Sequence, residues 1–115
     1  MKSFAERYNR TSFGVDTTNF QYAKLSELYK QGGESEIHKI DGAFISKSKI
    51  GESPVIIDAD RKLLVNWPSH TVETWRNILS DSEAVAAIKD GKVGYTIYEY
   101  ESHGKKCYSP MFADL

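Results

Sequence analysis

Cys107 and His103 are the pair in this chain that comes closest to a catalytic arrangement, since a thiol becomes a nucleophile when a base lies within hydrogen-bond reach. They are separated only by Gly104, Lys105 and Lys106, across what reads as a turn. Proximity in sequence across a turn is slight evidence for such a pair. His38 and His70 fall in other parts of the chain. A packed cysteine is therefore the plainer reading of Cys107. Metal chemistry is no better served, because the chain has no C-x-x-C, no H-x-x-x-H and no D-x-D-x-D-G loop. Asp58-Ala59-Asp60 reads as a turn with solvated carboxylates. Gly32-Gly33 follows a helical stretch and lacks the lysine of a phosphate-binding loop. The expectation is a protein that is not an enzyme and uses neither metal nor cofactor.

The chemistry these residues do offer is stacking beside positive charge. Tyr22 stands near Lys24, Phe44 near Lys47 and Lys49, and Tyr98, Tyr100 and Tyr108 near Lys105 and Lys106; Trp67 extends the set. Bases stack on aromatic faces, worth ~1–3 kcal/mol per base, while lysines follow the phosphates. These eleven positions form the candidate nucleic-acid surface. The plain alternative is structural: cross-strand tyrosine pairs stabilise sheets and exposed lysines solvate sheet edges.

The elements that must position them follow from periodicity and turn residues. Lys92 to Leu115 reads as a closing hairpin, with β-branched and aromatic runs on either side of E-S-H-G-K-K. Alternation turns Val93, Tyr95 and Ile97 to the core and Thr96, Tyr98 and Tyr100 outward, with Tyr108 joining them across the turn. Ser69 to Asp90 reads as helical, with Val72, Trp75, Ile78 and Leu79 on one face. Ser69 or Thr71 is the expected N-cap, and Ser80 with Glu83 a capping box within the region. Phe20, Trp75 and Phe112 are read as core.

Ahead of the helix, Val15 to Lys24 reads as a strand with Phe20 and Tyr22 on one face. A helical turn over Leu25 to Gln31 follows, stopped by Gly32-Gly33. Glu36 to Ser46 reads as a second strand whose apolar parity changes at a bulge on Gly42. Lys47 and Lys49 tip the next hairpin loop, and Pro54 to Trp67 reads either as a small hairpin around Asp58 and Asp60, the favoured reading, or as one strand with an interruption there. Met1 to Gly14, with Phe4, Tyr8 and Phe13, reads either as a packed arm or as a tail that orders on a partner.

A mainly β chain with one helical region, in the order β-β-β-α-β-β, is the order of an OB-like five-stranded antiparallel barrel within the α+β class. An open sheet with helices on one face is the competing architecture. The 115 residues suffice for one domain with a single modest core. A net charge of -1 gives no global field for nucleic acid, so any anion-binding surface must be local. One cysteine, no apolar run of ~20 residues and no signal-like N-terminus lead us to expect a cytoplasmic protein without a membrane segment.

With L-L-V-N-W-P-S-H entering the helix, G-K-V-G-Y-T-I-Y-E-Y opening the hairpin and C-Y-S-P-M-F-A-D-L closing it, the chain from Phe20 to Leu115 resembles a known group. These are small OB-fold single-stranded-DNA-binding proteins of Gram-positive phages and conjugative elements. The resemblance implies a non-enzymatic protein that coats single strands during DNA replication or transfer. The expected partner is single-stranded DNA; RNA and a homo-oligomer stay open. The alternative function is a small protein-binding module or inhibitor encoded by a mobile element, for which exposed aromatics are equally apt.

Overall fold

The computed structural model describes residues 17–49 and 51–115. The Met1–Gly14 arm, with Val15 and Asp16, lies outside the described residues. Strand β1 (Gln21–Lys24) runs straight into helix α1 (Leu25–Gly32), followed by β2 (His38–Lys39), β3 (Gly42–Ser48), β4 (Gly51–Asp58) and β5 (Leu63–Asn66). A 3-10 turn (Ser69–Thr71) leads into α2 (Val72–Leu79), then α3 (Ser82–Lys89), β6 (Val93–Ser102) and β7 (Lys105–Asp114). The strands form a four-stranded sheet in the order β1-β5-β4-β3 and a three-stranded sheet in the order β2-β6-β7. All pairings are antiparallel except β1 with β5. The α+β, mainly β class is as expected, but the strands do not close into a five-stranded barrel.

The two sheets meet through one stretch of chain. The Ile40 N–H donates to the Val93 carbonyl at 3.0 Å, and the next N–H, that of Asp41, donates to the Ile57 carbonyl at 2.9 Å. The chain thus leaves the second sheet and enters the first between these residues. His38 and Ile40 face inward before the switch, Ala43 after it. The parity change expected at Gly42 therefore falls at Ile40–Asp41, because a change of sheet reverses the face a side chain meets just as a bulge does.

Between the sheets lies one core of Leu28, Ile40, Ile56, Val65, Trp75 and Tyr95 with their neighbours. Alpha helix α1 buries Leu25 and Leu28 in it. Gly33, at φ 72°, donates its N–H to the Tyr29 carbonyl at 2.7 Å and ends the helix, the left-handed position at which glycine meets no Cβ clash. The expected hairpin over Pro54 to Trp67 is present as β4 and β5. A second, smaller cluster of Val55, Ile57 and Leu64 lies on the other face of the four-stranded sheet, with Phe20 and Phe44 packed against it. Phe20 belongs there and not in the main core.

The helical region forms with Val72 and Trp75 buried and Ile78 and Leu79 against the core, as the spacing requires. Its caps differ from expectation. Thr71 donates its hydroxyl to the Pro68 carbonyl at 2.7 Å, and no side chain caps the start of α2. Ser80 donates backwards to the carbonyls of Arg76 and Asn77 and so closes α2. Asp81 caps α3 instead, accepting from the N–H groups of Glu83 at 3.0 Å and Ala84 at 3.4 Å. A carboxylate one residue nearer the helix wins over the Ser80–Glu83 box because it is charged and faces the positive end of the helix dipole.

Candidate nucleic-acid interface

The hairpin of β6 and β7 turns on His103 and Gly104, both with positive φ (53° and 77°) and flanked by the pair Ser102–Lys105. Two left-handed central residues make the two-residue turn whose twist suits the strands on either side. This turn fixes the register. Tyr98 stands opposite Ser109, Glu99 opposite Tyr108, Tyr100 opposite Cys107 and Glu101 opposite Lys106. Facing residues share a side of the sheet. Tyr98, Tyr100, Cys107 and Lys105 therefore occupy the outer side, with the two tyrosine rings 5.9 Å apart between centroids.

Tyr108 and Lys106 do not join them. Tyr108 lies on the inward side, its ring 5.1 Å from that of Tyr29 on α1, and its hydroxyl donates to Glu99 at 3.0 Å. That bond to Glu99 raises the phenol's pKa above its ordinary value. Lys106 points the same way, 4.0 Å from Glu99. Both depart from expectation because the two-residue turn sets Tyr108 opposite Glu99 and Lys106 opposite Glu101, and those carboxylates alternate inward. Trp67 is also removed from the surface: it is 3% exposed, with its ring against Trp75, Tyr95 and Phe112. Phe112 is the reverse case, expected in the core but 44% exposed at the mouth of an apolar cleft.

The remaining candidates lie on the four-stranded sheet. Tyr22, 62% exposed, and Lys24 are on its outer side opposite Leu64 and Asn66. Phe44 is on the same side but half-buried against Val55. Lys47 alternates inward opposite Glu52, whose carboxyl a hydrogen bond from Arg76 holds below its usual range. Lys49 sits exposed in the β3–β4 turn. The structure thus brings together Tyr98, Tyr100 and Lys105 on one sheet, and Tyr22, Lys24 and Phe44 on the other.

Charge is segregated by the pleat. The strand carboxylates Glu52, Asp58, Glu99, Glu101 and Asp114 all alternate inward with Ile56, Tyr95 or Ile97. Lys24, Lys39 and Lys105 alternate outward. Both outer sheet faces are thereby free of acidic side chains along their strands. In a chain of net charge -1, the outward strand positions thus carry Lys24, Lys39 and Lys105 with no strand carboxylate beside them. Lys39 is partly committed, its Nζ 3.2 Å from Asp41. Sequence reasoning missed Ile37, Met111 and Leu115, which are exposed on or beside the same face as Tyr98.

Comparison with protein-family models, curated proteins and solved structures finds no match. Among the described residues, no group of three His, Cys, Asp or Glu side chains could hold a metal ion, and no helix is long and apolar enough to cross a membrane.

Behind the platform, His38 is fully enclosed, its ring 5.1 Å from Tyr95 and its Nδ1 3.6 Å from Glu36, which also pairs with Arg61. Burial lowers the imidazole's pKa from 6.5, outweighing the opposing pull of Glu36. The unfolded chain then binds the proton first as pH falls, so stability present above about pH 6.5 is lost below it. Asp58, raised by burial, works in the opposite sense but nearer its ordinary value of 3.8. Urea midpoints at pH 7.5 and 5.5 should show the native protein weaker in acid and His38→Phe nearly flat; a native protein equally stable at both would contradict this account.

Proposed function

We propose that this protein is a sequence-tolerant binder of single-stranded DNA, stacking bases on Tyr98 and Tyr100 while Lys105 meets the backbone. The observation that carries the reading is the outer face of the β6–β7 hairpin: two adjacent tyrosine rings, an exposed lysine and no strand carboxylate. Tyr22, Lys24 and Lys49 provide further stacking and phosphate contacts on the other sheet. An extended hairpin face presents side chains every ~6.8 Å along one strand, which suits an unstacked strand and not a duplex.

We also read the two sheets as an OB-like barrel left open. The β3–β4–β5 meander, the chain switching sheets at Ile40–Asp41, the helices between β5 and β6, and the return of β6 onto β2 all support it. The departure is that β5 takes β1 as its second neighbour. Coating of single strands during replication or transfer by a phage or mobile element is the corresponding role.

Binding of labelled oligo-dT across a salt titration tests the reading. The logarithm of affinity should fall linearly with the logarithm of salt, and Lys105→Ala should reduce that slope by about 0.7, one phosphate contact on a single strand. No binding at low salt would end the proposal. A protein-binding module is the second reading, favoured by an apolar cleft of about 150 Å³ lined by Trp75, Ile78, Ile88, Val93 and Phe112. A stoichiometric protein partner together with indifference to DNA would support it.

A further inference from the structure

The outer face of the three-stranded sheet does not end at its tyrosines. One row along from Tyr98, Thr96 stands opposite Met111, and the next row is Gly94 opposite Ala113. Ile37, one residue before the His38–Tyr95 pair, is on the same side as Thr96 by alternation. A β-carbon on Gly94 would lie 3.2 Å from Ile37 Cγ2 and 3.3 Å from Leu115 Cδ1, so these two side chains meet over the glycine. Met111 is 57% exposed, Ile37 52% and Leu115 51%. The result is a stripe along the hairpin that begins at Lys105, passes over Tyr100 and Tyr98, and continues onto bare aliphatic and thioether surface.

The composition of this stripe is selective by what it omits. Its strand positions hold no Asn, Gln or Arg for paired hydrogen bonds to a base edge, and beside the tyrosines they offer only the short hydroxyls of Thr96, Ser102 and Ser109, with Lys39 and Lys105 at the two ends. What lies next to a base stacked on Tyr98 is Met111, diagonal to it across the pair Tyr98–Ser109. Apolar contact is the mode by which proteins recognise the thymine methyl group. Lys105 at one end of the stripe favours an anionic ligand, since every strand carboxylate faces the other way, while Lys39 at the other end is shared with Asp41.

Resting on the single-strand reading above, we infer that the Ile37–Met111–Leu115 patch makes this face a thymine-selective site, preferring thymine-bearing DNA to strands whose pyrimidines lack the 5-methyl group. Met111 is the residue that contacts the methyl of a base held on Tyr98, and Ile37 and Leu115 serve the neighbouring base.

The decisive probe pair is oligo-dT against oligo-deoxyuridine of the same length, which differ only by the methyl group. Burying one methyl against Met111 should favour oligo-dT by about fourfold for each base so held. Met111→Ala should bring the ratio toward one, and Met111→Leu, which keeps the apolar contact, should restore most of it. Salt-dependent binding of both strands with equal affinity overturns the inference and leaves single-strand binding standing. A ratio that survives Met111→Ala overturns the assignment to this patch. Failure of both strands to bind overturns the function itself, and the inference with it.

Discussion

Replacing Trp75 with alanine should destabilise the protein by about 3–5 kcal/mol, the range for truncating a large aromatic in a packed core. Trp75 is fully buried, with its ring 5.5 Å from Trp67 in an edge-on arrangement and 5.7 Å from Phe112. It joins α2 to both sheets, because Trp67 follows β5 and Phe112 lies on β7. Trp67 in turn packs edge-on against Tyr95 of β6 at 5.0 Å. Removing the indole takes one member out of that chain of rings and opens a void beside the apolar cleft that Trp75 helps to line. Backbone held by two paired sheets has little freedom to collapse into the gap, which places the cost in the upper part of the range. Urea denaturation gives the measurement. Trp75→Phe should recover part of the loss, and a midpoint for Trp75→Ala close to that of the native protein would show that the rings do not form one packed unit.

That aromatic chain was only half legible in the sequence. Trp75 declares itself, since Val72, Trp75, Ile78 and Leu79 fall on one helical face. Trp67 does not, because it follows an apolar strand and precedes Pro68, where either surface or core fits the local pattern. Its burial comes from the 3-10 turn and α2 folding back over it, a tertiary fact. Phe112 misleads in the opposite direction: its parity is inward, but α2 and α3 leave a cleft in front of it.

The hairpin offers a different lesson. Its outward face at Tyr98 and Tyr100 follows from alternation alone, and that expectation agrees with the structure. The side on which Tyr108 falls follows from alternation plus the turn. Once His103-Gly104 is taken as a two-residue turn, Glu99 must face Tyr108, and Lys106 must share its side. The signal for this is E-S-H-G-K-K between two runs rich in aromatic residues, with the glycine at the second central position. The switch at Ile40–Asp41 was less accessible. Parity showed that a change of face occurs, and glycine drew the expected position to Gly42, but which sheet each half joins is decided by long-range pairing.

The inward side of the hairpin explains why its outer side can serve as a platform. Near the turn, β6 and β7 extend past the main core, where Glu99, Glu101 and Tyr100 are exposed. Tyr29 of α1 props this part by packing its ring at a tilt against Tyr108, and the Tyr108–Glu99 hydrogen bond ties the two strands together. Tyr108 is thus a brace on the inward side of the strands that carry Tyr98 and Tyr100 on the outward side. Under the proposed function, an aromatic pair ordered in advance would lose less entropy when bases stack on it.

Replacing both Tyr98 and Tyr100 with alanine should abolish most single-strand binding. Each stacked base contributes ~1–3 kcal/mol, so losing both rings costs about 2–6 kcal/mol, or roughly thirtyfold to more than ten-thousandfold in affinity. The rings are neighbours, and Tyr98→Ala leaves Tyr100 without its flank, so the single losses should not sum to the double loss. Tyr98→Phe with Tyr100→Phe keeps both ring faces and should bind oligo-dT nearly as the native protein does. The folded state should survive the alanine pair, since both residues face outward and the core-facing Tyr95 and Ile97 are untouched. Thermal unfolding of each variant checks that point before binding is compared. An alanine pair that remains folded and binds oligo-dT with native affinity would remove the hairpin face from the site and direct attention to Tyr22, Lys24 and Phe44 on the other sheet. The phenylalanine pair separates the two contributions that a tyrosine makes, ring face and hydroxyl. Retained binding there assigns the affinity to stacking, the interaction that every base can make and the physical reason for a sequence-tolerant site.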